Sequence, residues 1–336
     1  MIRPTLLDVT SYQNLHAAFC DARRGKSNIR AVRELWADYE YLLLELQRDL
    51  ATGTWTPAPY RHFTVNNSKP RLISAVPFAD RIVHHAIVRV LEPLFEQSFS
   101  NRSFACRVGY GTHRAVQRLQ RDMQSADFAL KCDIRKYFPS INHDILKHQL
   151  HQKLKCSELQ TLIAKVIDSY TITSVRQPCG LPLGNQTSQF FGNVYLNDFD
   201  HYVVGNLGCK RYVRYVDDFV LLSDSKDELH YWQSEIIRFL ARSVDLSVHL
   251  SKVFIQPVTV GLDFLGYTVF PTHRRLRPSN GYRFRRRMRR ALSSLPPHDE
   301  GVRSRLAAWL GHATHADTYG LRREMFGSLG LLTPRP

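Results

Sequence analysis

Two adjacent aspartates within an apolar stretch constrain this chain more than any other feature. The pair Asp217-Asp218 is preceded by one strand-like run, Arg211 to Tyr215, and followed by another, Phe219 to Ser223. Such runs predict a hairpin with two carboxylates at its turn, although aspartate is also an ordinary turn residue. Neighbouring carboxylates repel each other unless a cation neutralises them. We therefore expect a divalent metal here and a further ligand elsewhere in the chain.

Length and charge narrow the class of protein. The 336 residues, 43% of them hydrophobic, suffice for a folded protein of two or three lobes. No apolar run approaches the ~18 residues of a membrane span and no signal pattern is present, so we expect no membrane partner. The net charge of +16 favours nucleic acid as a partner over a merely basic surface. Six scattered cysteines without a Cys-x-x-Cys pair suit reduced thiols in a cytoplasm.

The predicted elements around the aspartates follow a ferredoxin-like order. A strand from Phe128 to Asp133, helices, the hairpin, a helix from Asp227 to Val244 and a strand from Lys252 to Gln256 form a β-α-β-β-α-β series. In this order the first strand can pair with the hairpin, so that Asp133 faces Asp217. Three converging carboxylates would suit Mg²⁺, as in enzymes that transfer nucleotidyl groups with two metals.

Hydrophobic periodicity predicts further elements on both sides of this unit. The predicted helices are Val32–Leu50, Asp80–Ser98, Thr112–Met123, Asn142–Leu154, Ser157–Tyr170 and Thr187–Tyr202, and the predicted strands are Tyr60–Val65, Lys69–Ser74 and Leu262–Phe270. The first two strands form a hairpin with Lys69 and Arg71 on one edge, which suits a phosphate but equally a solvated basic strand. Arg102 and Arg107, in a loop-like segment, are candidates for phosphate contacts.

The segment from Tyr282 to Arg290 is a very basic helix candidate. Its arginines are Arg283, Arg285, Arg286, Arg287, Arg289 and Arg290. A basic run is often only a solvated face. Aromatic interruptions and its position after a predicted metal-site domain favour a nucleic-acid grip.

Ordered blocks of residues make the chain resemble reverse transcriptases, most of all those of bacterial and phage diversity-generating retroelements. The blocks are Lys69-Pro-Arg-Leu-Ile-Ser74, Phe78-Ala-Asp-Arg81, Phe104-Ala-Cys-Arg107, Gly111-Thr-His113, Asp133-Ile-Arg-Lys-Tyr-Phe-Pro-Ser-Ile141, Leu181-Pro-Leu-Gly-Asn-Gln-Thr-Ser-Gln189, Tyr215-Val-Asp-Asp218, Phe264-Leu-Gly-Tyr267 and Trp309-Leu-Gly-His312. The resemblance implies an α+β right-hand polymerase. It places an N-terminal helical segment and fingers in residues 1–127, mainly a ferredoxin-like palm in 128–275 and a short helical basic thumb in 276–336.

The resemblance also implies roles for single residues. Asp133 and Asp217 correspond to ligands of two Mg²⁺ ions, or of Mn²⁺, with Asp218 beside them and the Ile134 carbonyl assisting. The other implied roles are triphosphate contacts for Lys69 and Arg71, an aromatic gate against the ribose 2′-hydroxyl for Phe138, further nucleotide contacts for Leu183, Gly184 and Gln189, a primer grip for Phe264, Leu265, Gly266 and Tyr267, and a proton donor to pyrophosphate for Lys252.

The block from Leu183 to Gln189 carries the subfamily resemblance. Most reverse transcriptases have Gln or Ala before its glycine and Pro after its serine. The retroelement version implies lowered fidelity, above all opposite template adenines. Defence-associated or retron-like reverse transcriptases share parts of this pattern and are the alternative. The bulky gate Phe138 argues against an RNA-dependent RNA polymerase, and the three aspartates argue against a non-catalytic nucleic-acid-binding module.

The resemblance finally implies partners. These are template RNA, primer and dNTPs. We find no segment left for an RNase H, maturase or endonuclease domain, and we therefore expect a small basic helical accessory protein. The implied location is the cytoplasm of a bacterium, with the gene on a bacterial or phage genome.

Overall fold

The computed structural model describes residues 3–25, 38–66, 70–172 and 177–331. The helices are α1 (Leu6–Thr10), α2 (Tyr12–Arg23), α3 (Tyr39–Ala51), α4 (Phe78–Glu96), α5 (Thr112–Met123), α6 (Tyr137–Ser140), α7 (His143–Lys153), α8 (Ser157–Asp168), α9 (Gln186–Tyr195), α10 (Asn197–His201), α11 (Lys226–Ser243), α12 (Pro278–Leu292), α13 (Glu300–Ala313) and α14 (Tyr319–Ser328). The strands are β1 (Arg61–Asn66), β2 (Pro70–Ala75), β3 (Phe128–Asp133), β4 (Tyr212–Tyr215), β5 (Asp218–Ser223), β6 (Phe254–Pro257), β7 (Leu262–Phe264), β8 (Tyr267–Val269) and β9 (Arg274–Leu276).

The central sheet has the predicted ferredoxin-like order. Its strands run β4-β5-β3-β6, and each neighbouring pair is antiparallel. The predicted strand from Phe128 to Asp133 has the bounds of β3, and its pairing with the hairpin is confirmed. This pairing places Asp133 directly opposite Asp218.

Both faces of the central sheet are buried, because successive side chains of a strand point to opposite sides. Leu130, Cys132 and Phe219 pack into a core shared with the N-terminal helices α2 and α4 and with α7 to α11. Ala129 and Val220 face a second core shared with α5, β7, β8 and the C-terminal helices. The sheet is therefore fixed from both sides, and one of its ends carries the aspartates.

The N-terminal part supplies helices and a two-stranded hairpin. The strands β1 and β2 pair with Arg61 opposite Ala75 and Val65 opposite Arg71, as predicted. Lys69 lies outside the described residues. The described part of the predicted helix Val32–Leu50 is α3, which buries Leu43, Leu46 and Leu50.

Three predicted elements differ in detail from the structure. The predicted strand Leu262–Phe270 is a tight hairpin, β7 and β8, because Leu265 (φ 48°) and Gly266 (φ 91°) have left-handed backbones. The predicted helix Thr187–Tyr202 is interrupted at Leu196, where α9 ends and α10 begins. Lys252 closes a 3₁₀ turn, Leu250–Lys252, instead of beginning β6.

The C-terminal helices pack on the β7–β8–β9 sheet and on each other. The rings of Phe284 on α12 and Trp309 on α13 stack with centroids 4.2 Å apart. Tyr267 on β8 donates a hydrogen bond to the His312 carbonyl of α13 at 2.7 Å. Within the described ranges, no helix combines the length and apolar character needed to span a bilayer.

Candidate active site

The two-residue turn between β4 and β5 presents the aspartates. Tyr215 pairs with Asp218, so Val216 and Asp217 form the turn itself. Val216 has a left-handed backbone (φ 58°), which is unfavourable for a β-branched residue. A conformation of this kind persists only where the surrounding structure fixes it, and such positions cluster at functional sites.

The end of β3 brings the third carboxylate to this turn. Asp133 lies opposite Asp218 in the sheet, and the Ile134 amide donates a hydrogen bond to the Asp217 carbonyl at 3.0 Å. Ile134 is 1% exposed, so the connection is sheltered from water. The predicted meeting of Asp133 with the hairpin turn is therefore present in the fold.

Two lysines balance the carboxylates. Lys252 donates to Asp133 Oδ1 at 2.6 Å, and Lys131 donates to Asp218 Oδ2 at 3.2 Å. The other oxygen of Asp218, Oδ1, is buried and has no hydrogen-bond partner.

Burial is the main cause that raises the pKa values of the turn carboxyls. Burial raises the pKa of Asp217, Asp133 raises it further, and Lys252 and Arg71 oppose the rise. Burial raises the pKa of Asp218 to about 6 against the opposing effect of Lys131, and Asp133 and Asp217 add to the rise. Because Arg71 acts on Asp217, the β1–β2 hairpin faces this end of the central sheet.

The chemistry of this donor set fits a hard divalent cation. Carboxylate oxygens are the ligands preferred by Mg²⁺, and the partnerless oxygen of Asp218 is a buried acceptor. However, in the part of the chain that the structure describes, no three His, Cys, Asp or Glu side chains are grouped closely enough to hold a metal ion. The three aspartates are brought to one end of the sheet, and a complete metal site is not formed.

Phe138 lies just beyond Asp133 on the short helix α6. The chain reaches α6 through Lys136, which has a left-handed backbone (φ 47°). The Phe138 ring is half-buried, and its Cε1 atom would lie 3.3 Å from a Cβ atom at Gly192 of α9. The Leu181 amide donates to the Phe138 carbonyl at 2.8 Å. Phe138 is thus tied to the segment that contains Leu183.

The loop before α9 packs against the β1–β2 hairpin. The Ser74 amide donates to the Leu183 carbonyl at 3.0 Å. At Gly184 (φ 113°), a Cβ atom would lie 2.8 Å from Ile73 Cγ2, so a larger residue would separate the loop from the hairpin. Gln189 is exposed on α9 beside a cavity of about 170 Å³ that Gly184 also lines. Leu183 and Gly184 therefore contact β2, and Gln189 shares the cavity with Gly184.

The predicted primer-grip residues form the β7–β8 hairpin. Phe264 and Tyr267 are fully buried, and Leu265 and Gly266 form its turn. The Gly266 carbonyl accepts hydrogen bonds from the Arg277 amide at 3.0 Å and from Asn280 Nδ2 at 3.1 Å. The hairpin is therefore fixed to the start of α12.

The predicted basic helix is α12, and its arginines differ in their surroundings. Arg285 pairs with Glu324 at 2.8 Å, whereas Arg286, Arg287, Arg289 and Arg290 are exposed. Arg283 and Arg287 line a groove of about 460 Å³ between α12 and α13, and Arg305 lines it from α13. We call this the thumb groove. Phe284, Met288 and Trp309 also line it.

The two arginines that were candidates for phosphate contacts have carboxylate partners. Arg107 is buried and donates to Glu96, to the Ser100 carbonyl and to the Ser103 carbonyl. All three guanidinium nitrogens of Arg107 are bonded in this way, so the prediction is wrong for Arg107. Arg102 donates to Asp122 through Nη1 at 2.9 Å, and its phosphate contact stays a prediction.

Sequence reasoning missed the residues beneath the turn of Val216 and Asp217. Arg214 and Asp200 form an ion pair at 2.6 Å in which both side chains are 1% exposed. The signal in the sequence was an arginine inside an apolar strand, because charged residues are rarely buried without a partner.

Comparison with known proteins identifies the family. Residues 63–269, more than half of the chain, match the family of reverse transcriptases (RNA-dependent DNA polymerases). The chain belongs to this family. The matched region contains the three aspartates, Phe138, the Leu183–Gln189 block and the β7–β8 hairpin, so the assignment agrees with the geometry of the site.

Relatives of this reverse transcriptase include intron-encoded proteins. Protein YkfC of Escherichia coli K12 is 25% identical over 267 residues, which cover 67% of this chain and 70% of that protein. The group II intron-encoded protein LtrA of Lactococcus lactis is 26% identical over 212 residues, which cover 61% of this chain and 34% of LtrA. These comparisons support membership of the reverse transcriptase family. The narrower resemblance to diversity-generating retroelements stays a prediction.

Solved structures support the fold. The telomerase of Candida albicans, in a complex with a fragment of telomeric RNA, covers 82% of this chain with a TM-score of 0.51 and 12% identity. The match covers 55% of the telomerase chain, so the reverse transcriptase spans about half of that protein. At this identity the likeness concerns the fold alone, and it confirms the predicted right-hand polymerase architecture.

Proposed function

We propose that this protein is an RNA-directed DNA polymerase that extends a primer along an RNA template. The observation that carries the proposal is the pairing of β3 with β5, which brings Asp133 to the turn of Asp217 and Asp218 opposite the basic β1–β2 hairpin. In the proposed reaction the primer 3′-oxygen forms a bond to the dNTP α-phosphorus. The bond from the α-phosphorus to the bridging oxygen breaks, and pyrophosphate leaves.

The proposed roles of the residues follow from their positions. Asp133 and Asp217 would hold two Mg²⁺ or Mn²⁺ ions, with Asp218 and the Ile134 carbonyl beside them. When bound, such ions make the 3′-hydroxyl a better nucleophile and stabilise the charge on the leaving pyrophosphate. Arg71, with Lys69, would bind the triphosphate. Lys252, which pairs with Asp133 at 2.6 Å, is the proposed proton donor to pyrophosphate.

The proposal is tested by supplying the purified full chain with an RNA template, an annealed DNA primer, dNTPs and Mg²⁺. We expect templated DNA product that requires Mg²⁺ and the RNA strand. Parallel reactions with NTPs, and without template, distinguish an RNA polymerase and a terminal transferase. Binding of the RNA–primer pair without any extension would favour a non-catalytic nucleic-acid-binding module.

Replacing Phe138 by Ala should admit ribonucleotides with little loss of deoxynucleotide use. Phe138 lies on α6, just after β3 ends at Asp133. The 2′-hydroxyl is the only difference between the two substrates, so steric exclusion of that group by the Phe138 ring is sufficient. The measurement is the ratio of kcat/KM for dNTP and rNTP on one primer–template. Phe270→Ala removes a half-buried ring outside the carboxylate site and is the matched control. Equal rejection of ribonucleotides by both variants would assign the gate to another residue.

The narrower proposal is that the enzyme is the error-prone polymerase of a diversity-generating retroelement. It is supported by Leu183 and Gln189 and by the contact of the Leu183 segment with β2. A defence-associated or retron-like enzyme is the alternative. Both versions would use template RNA, a primer and dNTPs, and we propose a small basic accessory protein as a further partner. The division into fingers (1–127), palm (128–275) and thumb (276–336) belongs to the same proposal, as does a cytoplasmic location.

Replacing Leu183 by Gln should lower misreading of template adenines more than misreading of the other bases. An apolar side chain there offers no hydrogen bond to the incoming nucleotide, and apolar pocket contacts discriminate by only about 10–200-fold. The measurement is deep sequencing of cDNA made by both proteins from one defined RNA, with any accessory partner supplied. Equal error rates at all four template bases in the unmodified enzyme would reject the retroelement assignment and favour the defence alternative.

A further inference from the structure

A buried ion pair lies directly beneath the turn that carries Asp217. Arg214 Nε and Nη2 donate to the two carboxylate oxygens of Asp200, each at 2.6 Å, and the Tyr212 hydroxyl donates to Asp200 Oδ1 at 2.8 Å. Arg214 and Asp200 are each 1% exposed. Burial removes both charges from water, and the cost of this desolvation often cancels the attraction. The pair is thus better explained by the geometry it imposes than by a gain in stability.

The third contact of the guanidinium group connects the pair to the catalytic turn. Arg214 Nη1 donates to the Val216 carbonyl at 3.0 Å. Val216 is the residue with the unfavourable left-handed backbone, and it immediately precedes Asp217. The hydrogen bond therefore acts on the peptide group that links Val216 to Asp217.

The backbone of Arg214 is held as firmly as its side chain. Its amide donates to the Arg102 carbonyl at 2.8 Å, and its carbonyl accepts from the Phe104 amide at 2.9 Å. The outer edge of β4 is therefore covered by the 102–104 loop. With the backbone fixed by this loop and the guanidinium group fixed by Asp200, the position of the donor to Val216 is determined.

We propose that Arg214 is a positioning residue that holds the Val216-Asp217 turn in its strained conformation, with Asp200 as its anchor. The role rests on the proposed polymerase function, because Asp217 is the group whose position matters. The pair connects α10 to the turn, so a change at Asp200 is transmitted to the catalytic carboxylate through two hydrogen-bonded side chains.

The Ile134 amide provides a readout that does not require activity. It donates to the Asp217 carbonyl, so its hydrogen exchange reports where the turn lies. In Arg214→Lys, which keeps the charge and loses the planar fork, we expect exchange at Ile134 to accelerate at least tenfold. We expect kcat to fall about 10–100-fold while KM for dNTP and template affinity stay within twofold. Asn tolerates left-handed backbone, so adding Val216→Asn should recover part of both losses.

Tyr195→Phe is the matched control. Tyr195 is also fully buried, and its hydroxyl donates to the Val244 carbonyl at 2.7 Å and accepts from the Asn142 amide at 3.2 Å, outside both the turn and the 102–104 loop. We expect it to lower the melting temperature without changing exchange at Ile134. Tyr212→Phe keeps the ion pair and removes one hydrogen bond to Asp200, and a two- to threefold acceleration is expected even if Arg214→Lys does not fold. Unchanged Ile134 exchange in Arg214→Lys and in Tyr212→Phe would overturn the proposal. If the unmodified chain gave no templated extension, the polymerase proposal would fail, while the exchange measurement would still decide whether Arg214 holds the turn.

Discussion

Replacing Asp217 by Asn should reduce primer extension by at least about a thousandfold, equivalent to about 4 kcal/mol of transition-state stabilisation. The side chains differ by little in size, so the turn and its hydrogen bond to Ile134 can remain. What is lost is a negative oxygen ligand at the point where the reacting phosphate and the 3′-hydroxyl must meet. The measurement is single-turnover extension of a labelled primer on an RNA template, together with the affinity for the same primer–template.

The control for this variant is Asp224→Asn. Asp224 lies just beyond β5, pairs with Arg211 at 2.9 Å and has a side chain that is 64% exposed. It carries the same charge on the same hairpin, outside the site, so we expect normal extension. Binding of the primer–template should be unchanged in both variants. Extension by Asp217→Asn at the rate of the unmodified enzyme would remove the aspartates from the catalytic assignment.

The hairpin of Asp217 and Asp218 was predictable because its determinants are local. Two apolar runs flank a two-residue turn, and β3 is a third such run; most residues of all three strands are buried, as expected where both faces of a sheet are covered. The order of the elements then allowed only a few sheet topologies. In the ferredoxin-like topology, β3 pairs with the hairpin and brings Asp133 to the turn. Local pattern and chain order were thus sufficient to bring the three aspartates to one end of the sheet, although a complete metal site is not formed there.

Contacts between distant segments were not predictable in the same way. Arg214 is 14 residues from Asp200 along the chain, and no periodicity indicates that these two charges meet in the core. Arg102 and Arg107 had the composition of a phosphate-binding loop, yet Asp122 and Glu96 neutralise them. The choice between structural and functional arginines depends on which carboxylates the tertiary fold brings near, and composition does not contain that information.

The β7–β8 hairpin was predicted as one longer strand for a related reason. Its strands are three residues each, with buried residues at both ends and a more exposed residue between them, and runs this short give only a weak alternation in the sequence. The turn requires left-handed backbone at Leu265 as well as at Gly266. Only the glycine signals such a turn in the sequence, so one longer strand was the simpler interpretation.

Removing the three arginines of the thumb groove should change the salt dependence of nucleic-acid binding. Arg283 and Arg287 line the groove from α12 and Arg305 lines it from α13, above the stacked rings of Phe284 and Trp309. Each phosphate contact contributes about 0.7–0.9 to the log–log slope of affinity against salt. In the triple Ala variant, the log–log slope should therefore be smaller in magnitude by about 2–3, and binding at low salt should be weaker. The measurement is the affinity for a fluorescent RNA–DNA primer–template across a series of salt concentrations.

A second triple variant separates a specific groove from general basic charge. Arg286 and Arg289 on α12, which the sequence also made candidates for the grip, and Arg303 on α13 are exposed and lie outside the groove lining. Replacing these three by Ala removes the same net charge from the same two helices. If long-range attraction alone mattered, both triple variants would weaken binding equally. We expect the groove variant to lose most of the slope and the control to lose little, because only arginines in contact with phosphates displace condensed counterions. An unchanged slope in the groove variant would show that the primer–template is held elsewhere on the enzyme.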